Sequence, residues 1–593
     1  MTEPAASPTS QTPGEAAVPA PRTLGRAILR WVVPALALAT SITLSYGAYT
    51  LASYSWDQVV SYESPYTSMS GADFSGVRPS LTEPIPGAES RRVVMVLIDG
   101  LRDDASRTMA SVSALRARGA DVRLTVPQPS LSYPTWTTIM TGAPQQISGV
   151  TTNWFEGPVS VETLLDVAAA SGRTVAVAGP QDLDDMFRAS EVATASALEE
   201  WSEDEYRSGA IVDDALALDA QLGGADFLFV LLPDVDNAGH DFGGASAEYA
   251  DVVAKVDADL GRLIEGTDDG ETVYVVLPDH GHIDTGGHGG WEDPVIHTFA
   301  AFAGPGVAET TADAHLSDIA PTVAVLAGMQ APLQATGTAI DAVLADGNGS
   351  SRDAEFVRSA GITLSYVRKV LGDEGVIDIG TIASPTDLVE LRADADTERL
   401  TDERASRMPV LIGILVGVAV LLLAIGITSW RALVASVAGT ATYVAIYNAL
   451  FFVAHRLNWS LSAFNEETMI DAFFNQRMLE AAVAGLLACV VAALVYVALR
   501  RAPRGPQHGY AAEWLALGGA TVLLAQAALL VQVGIFLWQW GAQVAWILPD
   551  MRDAFKYDLD LIQLTALGAA AVLGPIVTLL VGRFHPRVRR AAQ

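Results

Sequence analysis

Four short segments between Val93 and Gly290 hold the residues whose types and spacing can do chemistry: VVMVLIDGLRDD from Val93, PSLSYPTWTTIMTG from Pro129, LLPDVDNAGHDFG from Leu231 and VVLPDHGHIDTGGHGG from Val275. They supply Asp99, Asp236 and Asp279, His240, His280 and His288, and the hydroxyl of Ser132. Carboxylates, imidazoles and a hydroxyl nucleophile in this combination make up the ligand list of a two-metal phosphoryl-transfer site. Zinc favours such nitrogen and oxygen ligands and keeps a position open for substrate; manganese is the other candidate for the two divalent ions. The expected division gives one ion Asp99, Asp279 and His280 together with Ser132, and the other Asp236, His240 and His288. Ions held about 4 Å apart clamp the attacking and leaving oxygens of an in-line displacement.

The elements that must position these residues alternate. Continuous apolar runs at 93–98, 174–178, 227–232, 273–277 and 299–303 read as buried strands, and amphipathic patterns at 111–118, 161–170 and 248–264 read as helices. Such alternation predicts an α/β domain with a mainly parallel sheet flanked by helices. Ligands bind beyond the carboxyl ends of such strands, and there the acids fall: Asp99 ends VVMVLID, Asp234 and Asp236 end FLFVLLPDVD, and Asp279 ends VYVVLPD.

The same segments resemble the alkaline phosphatase superfamily, in particular its type I phosphodiesterase/nucleotide pyrophosphatase branch and the related glycosylphosphatidylinositol ethanolamine phosphate transferases. In that branch a Ser or Thr nucleophile precedes a Pro by two residues and a Thr-Gly or Ala-Gly by nine; Ser132 stands so before Pro134 and Thr141-Gly142. Asp236-Asn-Ala-Gly-His240 matches its Asp-x-x-Gly-His, and Asp279-His280-Gly281 followed by Gly286-Gly287-His288-Gly289 matches its Asp-His-Gly and Gly-x-His-Gly. Asp-Ile-Ala-Pro-Thr from Asp318 is similar to the closing helix of these domains. The resemblance implies an alkaline-phosphatase-like fold and a covalent phosphoseryl intermediate. Ser130 and Thr135 compete with Ser132 as nucleophile, and Asp234 with Asp236 as ligand; His282, His297 and His315 are expected behind the ligands or at the surface. One departure from the resemblance concerns the Asn expected three residues after the nucleophile to contact the phosphoryl oxygen, where this chain has Thr135.

Half of the 593 residues are hydrophobic, so part of the length is membrane rather than globular core. Apolar runs long enough to cross a bilayer lie at 31–52, 408–429, 432–454, 478–499, 514–538 and 561–581. Arg22, Arg26 and Arg30, then Arg431, then Arg500, Arg501 and Arg504, then Arg583, Arg587, Arg589 and Arg590 fall on one side if all six spans are real. By the positive-inside rule that side is the cytoplasm, which makes a multi-pass cell-membrane protein with both termini inside and 53–407 outside. A cleaved signal peptide is the other reading of the first span.

The expected organisation is a disordered cytoplasmic tail (1–30), a first transmembrane helix (31–52), a linker (53–90), the catalytic domain (91–345), a helical stalk or cap (346–407), an all-α bundle of five transmembrane helices (408–582) and a basic tail (583–593). The single cysteine, Cys489, lies in the fourth span, so the exported domain is held by its core and not by disulfides. Neither Cys/Ser-x-Pro-x-Arg segment that a sulfatase needs is present. A formal charge of -32 argues against nucleic acid as a partner, and the absence of charge near any span centre argues against a secondary transporter.

The function expected first is an extracytoplasmic phosphodiesterase (a phosphoester hydrolase) acting on phosphodiester, phospholipid or lipid-linked substrates. The alternative is a phosphoethanolamine-type head-group transferase from a phospholipid to a glycan or lipid-linked acceptor, and a non-enzymatic reading is a membrane scaffold with a retired enzyme domain. Five C-terminal spans exceed what anchoring needs. Trp459, Phe473, Phe474, Trp540, Trp546 and Phe555 in the outer loops suit either lipid presentation or an interfacial aromatic belt. Oligomeric state is left open.

Overall fold

A computed structural model describes residues 22–67, 69, 85, 87–200, 206–372, 382–465, 469–500 and 510–584, with the side chains of 22–30 excepted. The expected tail over 1–21, most of the linker between 68 and 86, and the basic tail beyond 584 lie outside the described residues.

Strands β1 (Val93–Ile98), β2 (Gly119–Thr125), β3 (Val175–Pro180), β4 (Ala195–Glu199), β5 (Phe227–Leu232), β6 (Val273–Leu277), β7 (His297–Ala303) and β8 (Thr310–His315) form one sheet in the order β4-β3-β5-β1-β6-β7-β2-β8. β7 runs antiparallel to both β6 and β2, and every other pairing is parallel. The central strands are buried along their whole length because both faces are covered: Val93, Met95 and Leu97 enter one core, and Val94, Val96 and Ile98 the other. The Ala247–Thr267 helix shows how pattern becomes packing. Ser246 caps it by accepting from the Tyr249 amide, and its Tyr249, Val252, Val253, Val256, Leu260 and Leu263 face is buried.

The membrane part contains six helices long and apolar enough to cross a bilayer among the described residues. The first helix runs from Arg22 to Val60, so it continues eight residues beyond the expected end of the span into the linker. The stalk is two helices, Gly349–Leu371 and the first half of Pro385–Thr428, and the latter continues without a break through the second span. Val410, Leu415, Val416, Leu423 and Ile427 on that helix are exposed, as a lipid-facing surface requires. The remaining spans are Trp430–Asn448 with a wide turn over Ala449–Ala454, Ile470–Leu499, Tyr510–Gln539 and Met551–Phe584. Buried Gln526 in the fifth span donates to Ser41 O at 3.1 Å and to Ser45 Oγ at 2.9 Å, and the Ser41 hydroxyl donates back to its amide oxygen, tying the first span into the bundle. Cys489 is buried and unpaired in the fourth span.

Candidate metal centre

The three central strands β5, β1 and β6 are adjacent, so the residues at their carboxyl ends converge. Asp99 follows β1, Asp279 follows β6 after a Leu-Pro step, and Asp236 lies in the first turn of the Asp234–Phe242 helix that follows β5. Ser132 opens the Ser132–Thr141 helix, whose every other residue except Tyr133 is buried. The turn after Asp99 is pinned from outside by buried Tyr249, whose hydroxyl donates to Gly100 O at 2.8 Å and accepts from the Arg102 amide at 3.0 Å.

Two groups of ligand atoms result. In the first, His280 Nε2 lies 3.6 Å from Asp99 Oδ1, 3.3 Å from Asp279 Oδ2 and 3.4 Å from Ser132 Oγ. In the second, His240 Nε2 lies 3.3 Å from Asp236 Oδ2 and 3.2 Å from His288 Nε2, with His288 Nε2 3.9 Å from Asp236 Oδ1. The stacked His280 and His288 rings, 3.8 Å between centroids, join the two groups. All seven residues singled out from the sequence are therefore brought together.

The competing residues have other partners. Ser130 Oγ donates to Gly290 O at 2.9 Å, while Ser130 O faces His288 Nδ1 at 3.1 Å and orients that ring. Thr135 Oγ1 turns back onto its own helix at Leu131 O, 2.7 Å away, and lies 3.0 Å from Asp279 Oδ2. Asp234 points away and accepts from the Arg207 and Ser208 amides at 2.7 and 3.0 Å, at the start of the Ser208–Leu222 helix. His282 stands behind the ligands: its Nδ1 accepts from the Gly287 amide at 3.2 Å, so Nε2 carries the hydrogen and donates to Asp236 Oδ1 at 2.6 Å. His297 bonds Asp293 at 2.6 Å at the start of β7, and His315 caps the turn before Asp318.

The electrostatics call for cations. Asp99 is wholly buried, and among the described residues neither of its oxygens meets a donor at hydrogen-bonding geometry; the Asp279 carboxyl and the Trp136 indole are its looser neighbours. Burial, then the charges of Asp279 and Asp236, raise its pKa well above the usual carboxylate range. Asp279 is also raised, by burial first. Burial acts upward on Asp236 too, but His240 and His282 outweigh it and hold that carboxyl well below its ordinary value. Burial acts downward on His240, yet Asp236 prevails and lifts it to about 9. Burial pushes His282 down to about 4 and His288 well below its usual range. A buried carboxylate with no close donor among the described residues, beside two others and with imidazole nitrogens aimed at the same points, fits divalent metal. Asp236, His280, His282 and His288, and separately Asp99, Asp279 and His280, bring ligand atoms within 4.8 Å of one another.

Two asparagines at the site carry no motif. Asn153 Oδ1 accepts from the Tyr133 amide at 3.0 Å, which sets its side chain beside Ser132 at the mouth of the helix. Asn465, from the loop between the third and fourth spans, bonds His240. Their sequence neighbourhoods, Thr152-Asn153-Trp154 and Phe464-Asn465-Glu466, give no spacing signal that could have found them.

The family model described as type I phosphodiesterase / nucleotide pyrophosphatase matches residues 93–334. The chain is 25% identical over 334 residues to GPI ethanolamine phosphate transferase 1 of Emericella nidulans, across 44% of this chain and 35% of that one. It is 28% identical over 185 residues to the protein of the same name in Yarrowia lipolytica, across 27% and 20%, and 24% identical over 320 residues to that of Homo sapiens, across 44% and 34%. The matched region thus spans about a third or less of these relatives' length. Similar solved structures include murine ectonucleotide pyrophosphatase / phosphodiesterase 5 with AMP (14% identity, TM-score 0.35, 41% of this chain and 96% of that chain) and wild-type alkaline phosphatase PafA (13%, 0.37, 44% and 100%).

Proposed function

We propose that this chain, whose residues 93–334 form a domain of the type I phosphodiesterase / nucleotide pyrophosphatase family, transfers a substituted phosphoryl group of the phosphoethanolamine type from a phospholipid to a hydroxyl of a glycan or lipid-linked acceptor at the outer membrane face. The observation that supports a reaction on lipids is the contact of the candidate metal-ligand loops with the loop between the third and fourth spans, which would keep the reacting phosphorus beside a lipid surface. The transferases among the matched relatives agree with it. The hydrolase expected first from the sequence shares the same first half-reaction and differs only in what enters second.

Ser132 Oγ attacks phosphorus while the bond from phosphorus to the diacylglycerol oxygen breaks, and the proton lost from Ser132 is taken up by that leaving oxygen. A phosphodiester on Ser132 results. An acceptor hydroxyl then attacks phosphorus, the Ser132 oxygen leaves, and it regains a proton from the acceptor. Two divalent ions, zinc or manganese, held by Asp99, Asp279 and His280 and by Asp236, His240 and His288, would supply Lewis-acid neutralisation of the attacking and departing oxygens. Asn153, fixed through its Oδ1, has its Nδ2 hydrogens left to donate to a phosphoryl oxygen. That amide supplies the contact for which the sequence offered only Thr135.

The test is peptide mass spectrometry on acid-quenched protein after brief exposure to phosphatidylethanolamine vesicles. A phosphoethanolamine adduct on the Ser132 peptide, absent in Ser132→Ala and discharged faster by added alcohol than by water, is the expected result. Discharge by water alone returns the function to hydrolysis, and an adduct on Ser130 or Thr135 removes Ser132 as nucleophile.

A further inference from the structure

The loop between the third and fourth spans, described over 455–465, lies directly on the 286–292 segment that carries His288. Ser462 Oγ accepts from the Gly290 amide at 3.1 Å and donates to Glu292 Oε2 at 2.8 Å, and Ser460 Oγ donates to the same oxygen at 2.9 Å. Trp291 Nε1 donates to Trp459 O at 2.8 Å, and the Arg552 guanidinium at the start of the sixth span stands 4.9 Å from the Trp291 ring centre. The approach is close enough that a Cβ on Gly286, itself at φ +90°, would come within 2.7 Å of Asn465 Oδ1.

Asn465 reaches past this contact to a metal ligand. Its Nδ2 donates to His240 O at 2.7 Å. A carbonyl oxygen only accepts, so this bond fixes which way the amide faces; the flipped amide would set two oxygens against each other. Asn465 Oδ1 is thereby committed as an acceptor, and it faces His240 Nδ1 at 3.3 Å. The hydrogen of the neutral imidazole then sits on Nδ1, and Nε2 presents its lone pair toward the point shared with Asp236 and His288. Partners of this kind fix ligand tautomer and ring orientation in metal sites.

We propose that Asn465, supplied by the membrane bundle, is a positioning residue of the metal centre, holding His240 as the Nδ1–H tautomer with Nε2 turned to the ion. The inference rests on the two-ion reading of the site. It makes the bundle part of the catalytic apparatus: a segment between two spans orients a ligand of one ion, and the α/β domain by itself holds His240 only through its Nε2 side, against Asp236 and His288.

The experiment titrates full-length, detergent-purified, metal-stripped protein with zinc against a competing chelator, and with cobalt followed by its visible absorption. Asn465→Ala is expected to weaken one of the two ions by about 10- to 100-fold, leave the other unchanged, and alter the cobalt bands of the weakened site. Asn465→Asp still accepts from Nδ1–H but sets its second oxygen against His240 O, and is expected to recover affinity and bands in part. Asn465→Leu, close in volume to the amide, gives the same reading where the alanine variant does not fold. Wild-type affinity for both ions in the alanine or leucine variant overturns the proposal, as does an aspartate variant no better than alanine. A wild-type chain that takes up no divalent ion overturns the two-ion reading and this inference with it.

Discussion

At the scale of single residues, the site works through groups whose ordinary chemistry is changed by burial. His240 is the clearest case. With its pKa lifted to about 9 by Asp236 against the downward push of burial, the ion-free protein carries a proton on His240 throughout the neutral range, and an entering ion must displace it. Apparent zinc affinity is therefore expected to rise with pH up to about 9 and then to flatten; the chelator titration repeated between pH 6 and 10 checks this, and a pH-independent affinity would remove His240 from the ligand set. The sign for stability runs the other way: a raised histidine stabilises the ion-free fold below its unfolded pKa, and that contribution is lost as pH rises through about 9. Asn153 gives a second prediction. In the proposed reaction its amide donates to a phosphoryl oxygen, so Asn153→Ala is expected to lower kcat by about 10²- to 10³-fold with metal content unchanged, measured as turnover alongside zinc stoichiometry.

At the scale of elements, the glycine of the Asp-x-x-Gly-His segment has a steric reason. Gly239 faces the His282 ring, and a Cβ there would lie 2.4 Å from its Cδ2 and Nε2. Gly239→Ala must therefore push His282 off Asp236, and loss of zinc from the Asp236 group with the α/β fold retained by circular dichroism is the expected outcome. The sequence made the central strands legible because β1, β5 and β6 are buried on both faces and read as unbroken apolar runs. It did not reveal β4 and β8, whose residues are half-buried or alternately exposed at the two edges, or β2, which carries Asp121 and Arg123 between its apolar positions. The candidate ligands were legible for a related reason: each sits at a fixed offset from a buried strand or inside a tight turn. Asn153 and Asn465 obey no such offset, and their roles arise only when distant parts of the chain meet.

At the scale of the whole molecule, the six spans form one bundle rather than a leash and a plug. Gln526 bonds Ser41 and Ser45 across 485 and 481 residues of sequence. Gln526→Ala leaves those hydroxyls to find partners in a medium that offers none, and is expected to cost about 1 kcal/mol, read as a lower thermal midpoint in detergent with zinc affinity unchanged. An unchanged midpoint would mean that the first span is held by packing alone. Cys489, the single cysteine of the chain, is buried in the middle of this bundle. The native surface is thus blank to maleimides, and one cysteine introduced at a chosen loop becomes the sole handle for a membrane-impermeant label. The sidedness of every loop can be mapped against a silent background, and a fluorophore near residue 465 would report the meeting of bundle and catalytic domain while the enzyme turns over.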